Sequence, residues 1–293
     1  MSLAEFILLV LKISIVLSVL AIGLNVSFSD TAYLFRKPGL LGKALLSMYV
    51  IMPAVALALV MLSDLNPAVK VALVTLSVSP IPPILPNKEF KAGGSENYTI
   101  GLLVATGLLA IVITPLILEV FQRVSGRELG MPMSTIAMQV LATILVPLLI
   151  GIAIRTFAPA IGAKVAKPLA KIAVVLLLVG ILPVLLSAGR AILSLIGDGT
   201  LLSLAAFALV GLLVGHLLGG PETENRRVLA LSTATRHPAV ALGIAHANFP
   251  NQKLAAGTIF LYLLVSIILS APYISLVKRA HTHKNPTEKQ AEA

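Results

Sequence analysis

Apolar runs of about twenty residues follow one another along almost the whole chain, separated by short clusters of charge, Gly and Pro. A helix rising 1.5 Å per residue needs about 20 residues to cross about 30 Å of hydrocarbon. Cutting at the polar clusters predicts nine spans: Leu3 to Leu24, Leu40 to Leu62, Ala68 to Phe90, Tyr98 to Phe121, Met133 to Phe157, Pro168 to Ala188, Leu201 to Leu218, Val228 to Phe249 and Leu254 to Val277. The pattern therefore predicts an all-α polytopic membrane protein. Met1 to Leu11 lacks the basic start of a signal peptide, and its first charge is Glu5, so a retained first span is expected there. The polar stretch 278–293 is expected to be a tail.

The two halves align without gaps at a shift of 157 residues, which pairs Gly23 with Gly180, Lys70 with Arg227, Val71 with Val228 and Pro115 with Pro272. The same shift superimposes spans one to four on spans six to nine. Residues 1–132 then form a first repeat, 133–157 a separate fifth span, 158–277 a second repeat and 278–293 a cytoplasmic tail. Five spans separate each pair of partners, and an odd number inverts the second copy, giving an inverted-repeat transporter architecture.

The third and eighth spans are both interrupted. Span three, about 68–90, carries Pro80, Pro82, Pro83 and Pro86 near mid-depth. Each proline lacks an N–H and clashes with the preceding turn, so the helix unwinds and leaves carbonyls without helical partners. Span eight, about 228–249, carries Ser232, Thr233, Thr235, Arg236, His237 and Pro238 in the corresponding region. If both breaks cross near the midplane, two half-helix N-termini and one arginine bring positive charge together, a setting that prefers an anion.

Composition sharpens this picture. Of 293 residues, 58% are apolar and 12% charged, with a mean hydropathy of +1.00, which excludes a soluble enzyme carrying one anchor. The net charge of +10 sits mostly between the spans, so it is read as orienting charge and not as a nucleic-acid surface. Fifteen Lys and Arg fall on the side of the C-terminus and five, Lys70, Arg123, Arg127, Arg190 and Lys253, on the other. The positive-inside rule puts the C-terminus in the cytoplasm and the N-terminus outside. There is no Cys, and the five His lack zinc-like spacing apart from the tail pair His281 and His283, so no metal site or cofactor is expected.

Arg236 carries the most information. A mid-membrane arginine costs roughly 2.5 kcal/mol or more even on the lenient insertion scale, so it must face a partner or an aqueous site. It either binds an anionic substrate group or stands in for a bound cation, or it forms a structural ion pair with Glu96 or Glu89. His237 either carries a proton or hydrogen-bonds freed backbone. Thr233, Thr235, Ser232, Ser79 and Asn87 either line the site or bond back to helix carbonyls.

Several motifs carry a family resemblance. Gly23, Leu24, Asn25 and Val26, followed by Leu34, Phe35, Arg36, Lys37 and Pro38, match a G-L-x-L and L-F-[KR]-x-P pattern. Ala245, His246, Ala247, Asn248 and Phe249 close the eighth span with an A-x-x-x-F ending. In this order the chain resembles the bile acid:sodium symporter family over nearly its whole length. The family's common form has ten spans, and the resemblance implies that this chain begins at the second. It also implies a panel domain, spans one, five and six, beside a core domain whose unwound helices cross. Sodium-coupled members hold cations with a glutamate and a glutamine in the later crossover and a Ser-Asn pair in the earlier one. Here Ser232 stands at the glutamate, Arg236 at the glutamine, and the proline cluster over the Ser-Asn segment, where Asn87 alone could keep the pair. A guanidinium would repel a neighbouring sodium ion by about 4 kcal/mol at 4 Å and an effective dielectric near 20. The resemblance thus implies a secondary transporter of a small organic anion in a bacterial-type inner membrane, with Arg236 replacing the sodium charge. Its coupling would be absent, or carried by a proton on His237 or Glu96. The alternative is a conventional sodium symporter using Glu96, Thr99 and Thr106. A channel is a further rival. An intramembrane enzyme lacks support, since there is no H-E-x-x-H, no G-x-S-x-G and no intramembrane Asp pair, with Asp30, Asp64 and Asp198 at span ends. Substrate identity, the coupling ion and oligomeric state are not written in the sequence.

Overall fold

A computed structural model of the chain describes residues 3–125, 130, 132–194, 197, 199–252 and 254–284. α14 continues through 278–284, so the polar tail expected from 278 does not begin there; residues 285–293, with Arg127, Asp198 and Lys253, lie outside the described residues. All the regular elements among the described residues are helical. They are α1 (Leu3–Gly23), α2 (Phe28–Thr31), a 3-10 turn (Leu34–Arg36), α3 (Pro38–Leu45), a π segment (Leu46–Ile51), α4 (Met52–Leu62), α5 (Pro67–Ser77), α6 (Leu85–Lys91), α7 (Glu96–Ser125) and α8 (Met133–Val140). A second π segment (Leu141–Leu145) follows, then α9 (Val146–Phe157), α10 (Pro159–Ser194), α11 (Thr200–Leu218), α12 (Thr223–Ala234), α13 (Pro238–Asn248) and α14 (Leu254–Lys284).

Among the described residues five helical stretches are long and apolar enough to cross a membrane: Pro38–Leu62, Glu96–Val124, Met133–Phe157, Thr200–Leu218 and Leu254–Val277. Their outward faces are apolar too, with Leu209 and Leu213 of α11 and Ile267 and Ile268 of α14 all exposed. Lipid, and not water, is the solvent that suits such a surface. The expected third and eighth spans are each divided in two: α5 and α6 are separated by 78–84, and α12 and α13 by 235–237. Moving α5 along the sequence by 157 gives 224–234, against Thr223–Ala234 for α12, and moving α7 gives 253–282, against Leu254–Lys284 for α14.

α1 packs on α9 and α10, where Gly23 and Gly151 let the backbones meet: a Cβ on Gly23 would lie 2.4 Å from the Leu148 carbonyl oxygen. α5 packs against α4, α13 and α14 around Leu73, Leu76, Phe207 and Tyr262. α12 lies against α11 on a stripe of Gly211, Gly215 and Gly219, where a Cβ on Gly215 would stand 2.4 Å from the Leu229 oxygen. Small residues at four-residue intervals are what permit backbones of two membrane helices to approach this closely.

Candidate functional site: the crossing of the two broken helices

The proline run decides which carbonyls are left without partners. In a continuous helix the carbonyl of Ser79 would accept from residues 82 or 83, and both are prolines without an N–H. The carbonyl of Val78 faces the same lack at Pro82, whereas that of Pro80 would need Ile84, which has an N–H but lies beyond the point where the prolines end the helix. Each of the three finds a donor from another element. Thr114 Oγ1 of α7 donates to the Val78 oxygen at 2.7 Å. Arg236 Nη1 donates to the Ser79 oxygen at 3.2 Å. The backbone N–H of His237 donates to the Pro80 oxygen at 2.9 Å. The two interrupted segments therefore meet, and the residues that bond across the junction, 79 with 236 and 80 with 237, are each 157 apart in sequence.

A fourth freed carbonyl comes from the π segment before α4. There the Met52 N–H bonds five residues back to the Ser47 oxygen. In that register the donor for Met48 would be Pro53, which has none. Arg236 Nη2 supplies it, at 3.0 Å from the Met48 oxygen. On the other side of the break, the Ala234 carbonyl would need residue 238, again a proline, and Tyr262 of α14 donates to it at 2.6 Å. Thr233 Oγ1 lies 2.8 Å from Ser47 Oγ.

The guanidinium of Arg236 is fully buried, and from the second break it reaches the first break and the π segment through carbonyl oxygens alone. Neither carboxylate considered from the sequence pairs with it. Glu96 is the exposed first residue of α7, and Glu89 accepts instead from Ser232 Oγ at 2.5 Å. Arg236 Nε, both ring nitrogens of His237 and Thr235 Oγ1 remain buried without hydrogen-bond partners. The His237 ring thus does not bond the freed backbone, although its own N–H does. Buried uncommitted groups are rare in proteins, and three consecutive residues carrying them mark the second break as the polar face of the junction.

The remaining sequence candidates are distributed as follows. Ser79 Oγ bonds back to the Leu76 oxygen at 2.9 Å, while its carbonyl takes the guanidinium. Thr106 Oγ1 bonds back to Leu102 at 2.7 Å, and its carbonyl accepts from Tyr49 at 3.0 Å. Asn87 is half-buried on α6 and its side chain joins none of the crossover bonds. Pro80, Pro82 and Pro83 lie within the first break, whereas Pro86 and Pro238 sit in the first turns of α6 and α13, where a missing N–H is harmless and the helix restarts. Met48, Thr114 and Tyr262 are not marked as junction residues by the sequence, and Glu89, expected there as a partner of Arg236, bonds Ser232 instead. Only Pro53, five residues after Met48, signals the freed carbonyl, and only once the π register is known. Among the described residues no group of His, Asp and Glu could hold a metal ion.

The family model described as Sodium Bile acid symporter family matches residues 12–195. This covers more than half of the chain, from α1 to the end of α10, and includes the first break. The second break lies beyond the matched region. No curated protein matches the chain.

Proposed function

Because the chain belongs to the Sodium Bile acid symporter family, whose members are membrane transporters of small solutes, we propose that it carries a small organic anion across a bacterial-type inner membrane by alternating access. In this reading Arg236 stands in permanently for the sodium ion of the sodium-coupled members. The observation that carries it is the set of acceptors around the guanidinium. Arg236 is held by the carbonyls of Ser79 and Met48, two oxygens freed by irregular backbone, and freed carbonyls of discontinuous helices are what coordinate a cation in transporters of this type. A tethered cation then occupies the junction in every cycle.

Anion selectivity follows from the same charge. Among the described residues no carboxylate pairs with the guanidinium, so the junction keeps a net positive charge in a medium of low dielectric. Thr235, His237 and Arg236 Nε supply uncommitted polar atoms beside it that can meet a carboxylate or sulfonate once the core opens. The shared offset of 157 in the helix bounds and in the junction bonds supports an inverted repeat, and the packing of α1, α9 and α10 on one another supports the panel beside which the core would move.

The test is uptake of radiolabelled anions, a bile acid together with small carboxylates and sulfonates, into proteoliposomes with and without a sodium gradient. Uptake that ignores the sodium gradient is the expected result. Strong sodium dependence would refute the replacement of sodium by Arg236 and favour the conventional symporter.

A further inference from the structure

One buried acid lies outside the crossing. Glu89, on α6, is 1% exposed. Ser232, in the last turn of α12, donates its Oγ to Glu89 Oε1 at 2.5 Å. The Thr99 hydroxyl of α7 lies beside the same carboxyl and is buried with no hydrogen-bond partner of its own. Three helices therefore converge on one carboxyl group.

No cation closes on it. Among the described residues the ion pair is Arg123 with Glu119, at the far end of α7. On α12, Arg227 donates Nη1 to the carbonyls of Ala92 and Gly93, Arg226 donates Nε to Gly220, and Glu224 lies in the first turn. On α7, Tyr98 presents a neutral buried hydroxyl and Glu96 is exposed. Lys88, the neighbour of Glu89 on α6, is half-buried and makes no ion pair with it. A carboxylate left this deep without a counter-charge is strongly disfavoured. A carboxylic acid, by contrast, needs one donor for its carbonyl oxygen and one acceptor for its O–H. Ser232 Oγ is that donor, and Thr99 Oγ1 is an uncommitted oxygen beside the group.

We propose that Glu89 is a proton-binding site, loaded in this conformation, and that its proton is the coupling ion for the anion; the coupling half of this statement rests on the transport reading above. The carboxyl bridges α6 and α12, one half-helix from each of the two interrupted segments. Ser232 lies four residues before Arg236 in the chain. Loss of the proton leaves a bare carboxylate between the two helices, which must part to admit water, and the break carrying Arg236 moves with α12.

Infrared difference spectroscopy on the full-length protein in lipid, over steps of pH, tests the site directly. A carboxylic-acid C=O band that shifts in D2O, is lost in Glu89→Gln and is unaffected by sodium is expected. In Ser232→Ala the same band should move to higher frequency, since the carbonyl loses its donor, and this variant keeps the acid intact. Absence of the band, its survival in Glu89→Gln, or its abolition by sodium overturns the assignment, the last outcome making the group a sodium ligand. The coupling is read by uptake of a radiolabelled bile acid: an inward proton gradient should accelerate it in the wild type and lose that effect in Glu89→Gln. A wild type that moves the anion without responding to the gradient overturns the coupling, whereas a wild type that moves none of the anions in the panel counts against the transport reading while the infrared band still decides the site.

Discussion

Replacing Arg236 by alanine removes the donors of two buried carbonyls at once. Neither can recover a partner from its own helix, because the positions that would supply one to Ser79 are Pro82 and Pro83, and the π register offers Met48 only Pro53. A buried carbonyl left without a donor costs about 1–3 kcal/mol, so the pair costs about 2–6 kcal/mol. Removal of an isolated buried charge offsets part of this, and a net loss near the lower end, about 2 kcal/mol, is expected. The vacated space is walled by the same two oxygens. Thermal unfolding in lipid nanodiscs, with sodium chloride titrated against choline chloride, reads both consequences. Arg236→Ala should unfold at lower temperature than the wild type in choline and regain stability as sodium enters the vacated position. An ion at a hundred times its Kd restores about 2.7 kcal/mol. The wild type should be indifferent to the exchange. A variant as stable as the wild type, or a variant that sodium fails to stabilise more than choline does, would refute the account of the guanidinium as a tethered cation.

Further outcomes follow from the same geometry. Tyr262→Phe leaves the Ala234 carbonyl without a donor beside Pro238 and should destabilise by about 1–3 kcal/mol, measured by thermal unfolding. Gly215→Ala drives a methyl into the Leu229 carbonyl and the Ala230 Cα; separating α11 from α12 should cost about 1–3 kcal/mol and lower uptake along with stability, whereas Gly42→Ala, with open space around it, should do neither. The chain has no cysteine of its own, so single cysteines report orientation cleanly: in intact cells Asp64→Cys should react with a membrane-impermeant maleimide, and Lys164→Cys, also exposed, should react only after the membrane is opened.

Much of the architecture is written in the pattern of apolar runs, because a helix in lipid must be long, apolar and internally bonded. The two breaks were legible for the converse reason. Four prolines in seven residues cannot stay helical, and the run from Ser232 to Pro238 cannot be lipid-facing. Boundaries were less legible where a helix runs on through its polar end: α10 begins at Pro159, well before the expected Pro168, and α14 runs to Lys284, past the expected Val277. Partners across the interior were not legible at all. That Arg236 would take the Met48 carbonyl depends on a local π register, which no apolar period announces. That Ser232 would meet Glu89, and not a bound ion, depends on how far α6 turns after the break. A carboxylate four residues or a hundred and forty away reads the same in a linear sequence, and the ion pair of Arg236 with Glu96 or Glu89 was a reasonable expectation that the packing does not realise.

The bond from the His237 N–H to the Pro80 oxygen joins two positions that are counterparts under the internal offset. In a junction with equal halves, the bond would be answered by a second one from residue 80 to the oxygen of residue 237. Proline has no hydrogen to give, so only one of the pair exists. An unmatched bond of about 1 kcal/mol skews two otherwise equivalent arrangements by roughly fivefold. A carrier that works by letting its halves trade shapes would therefore dwell longer on one face of the membrane than on the other, with that resting preference set by a single imino acid.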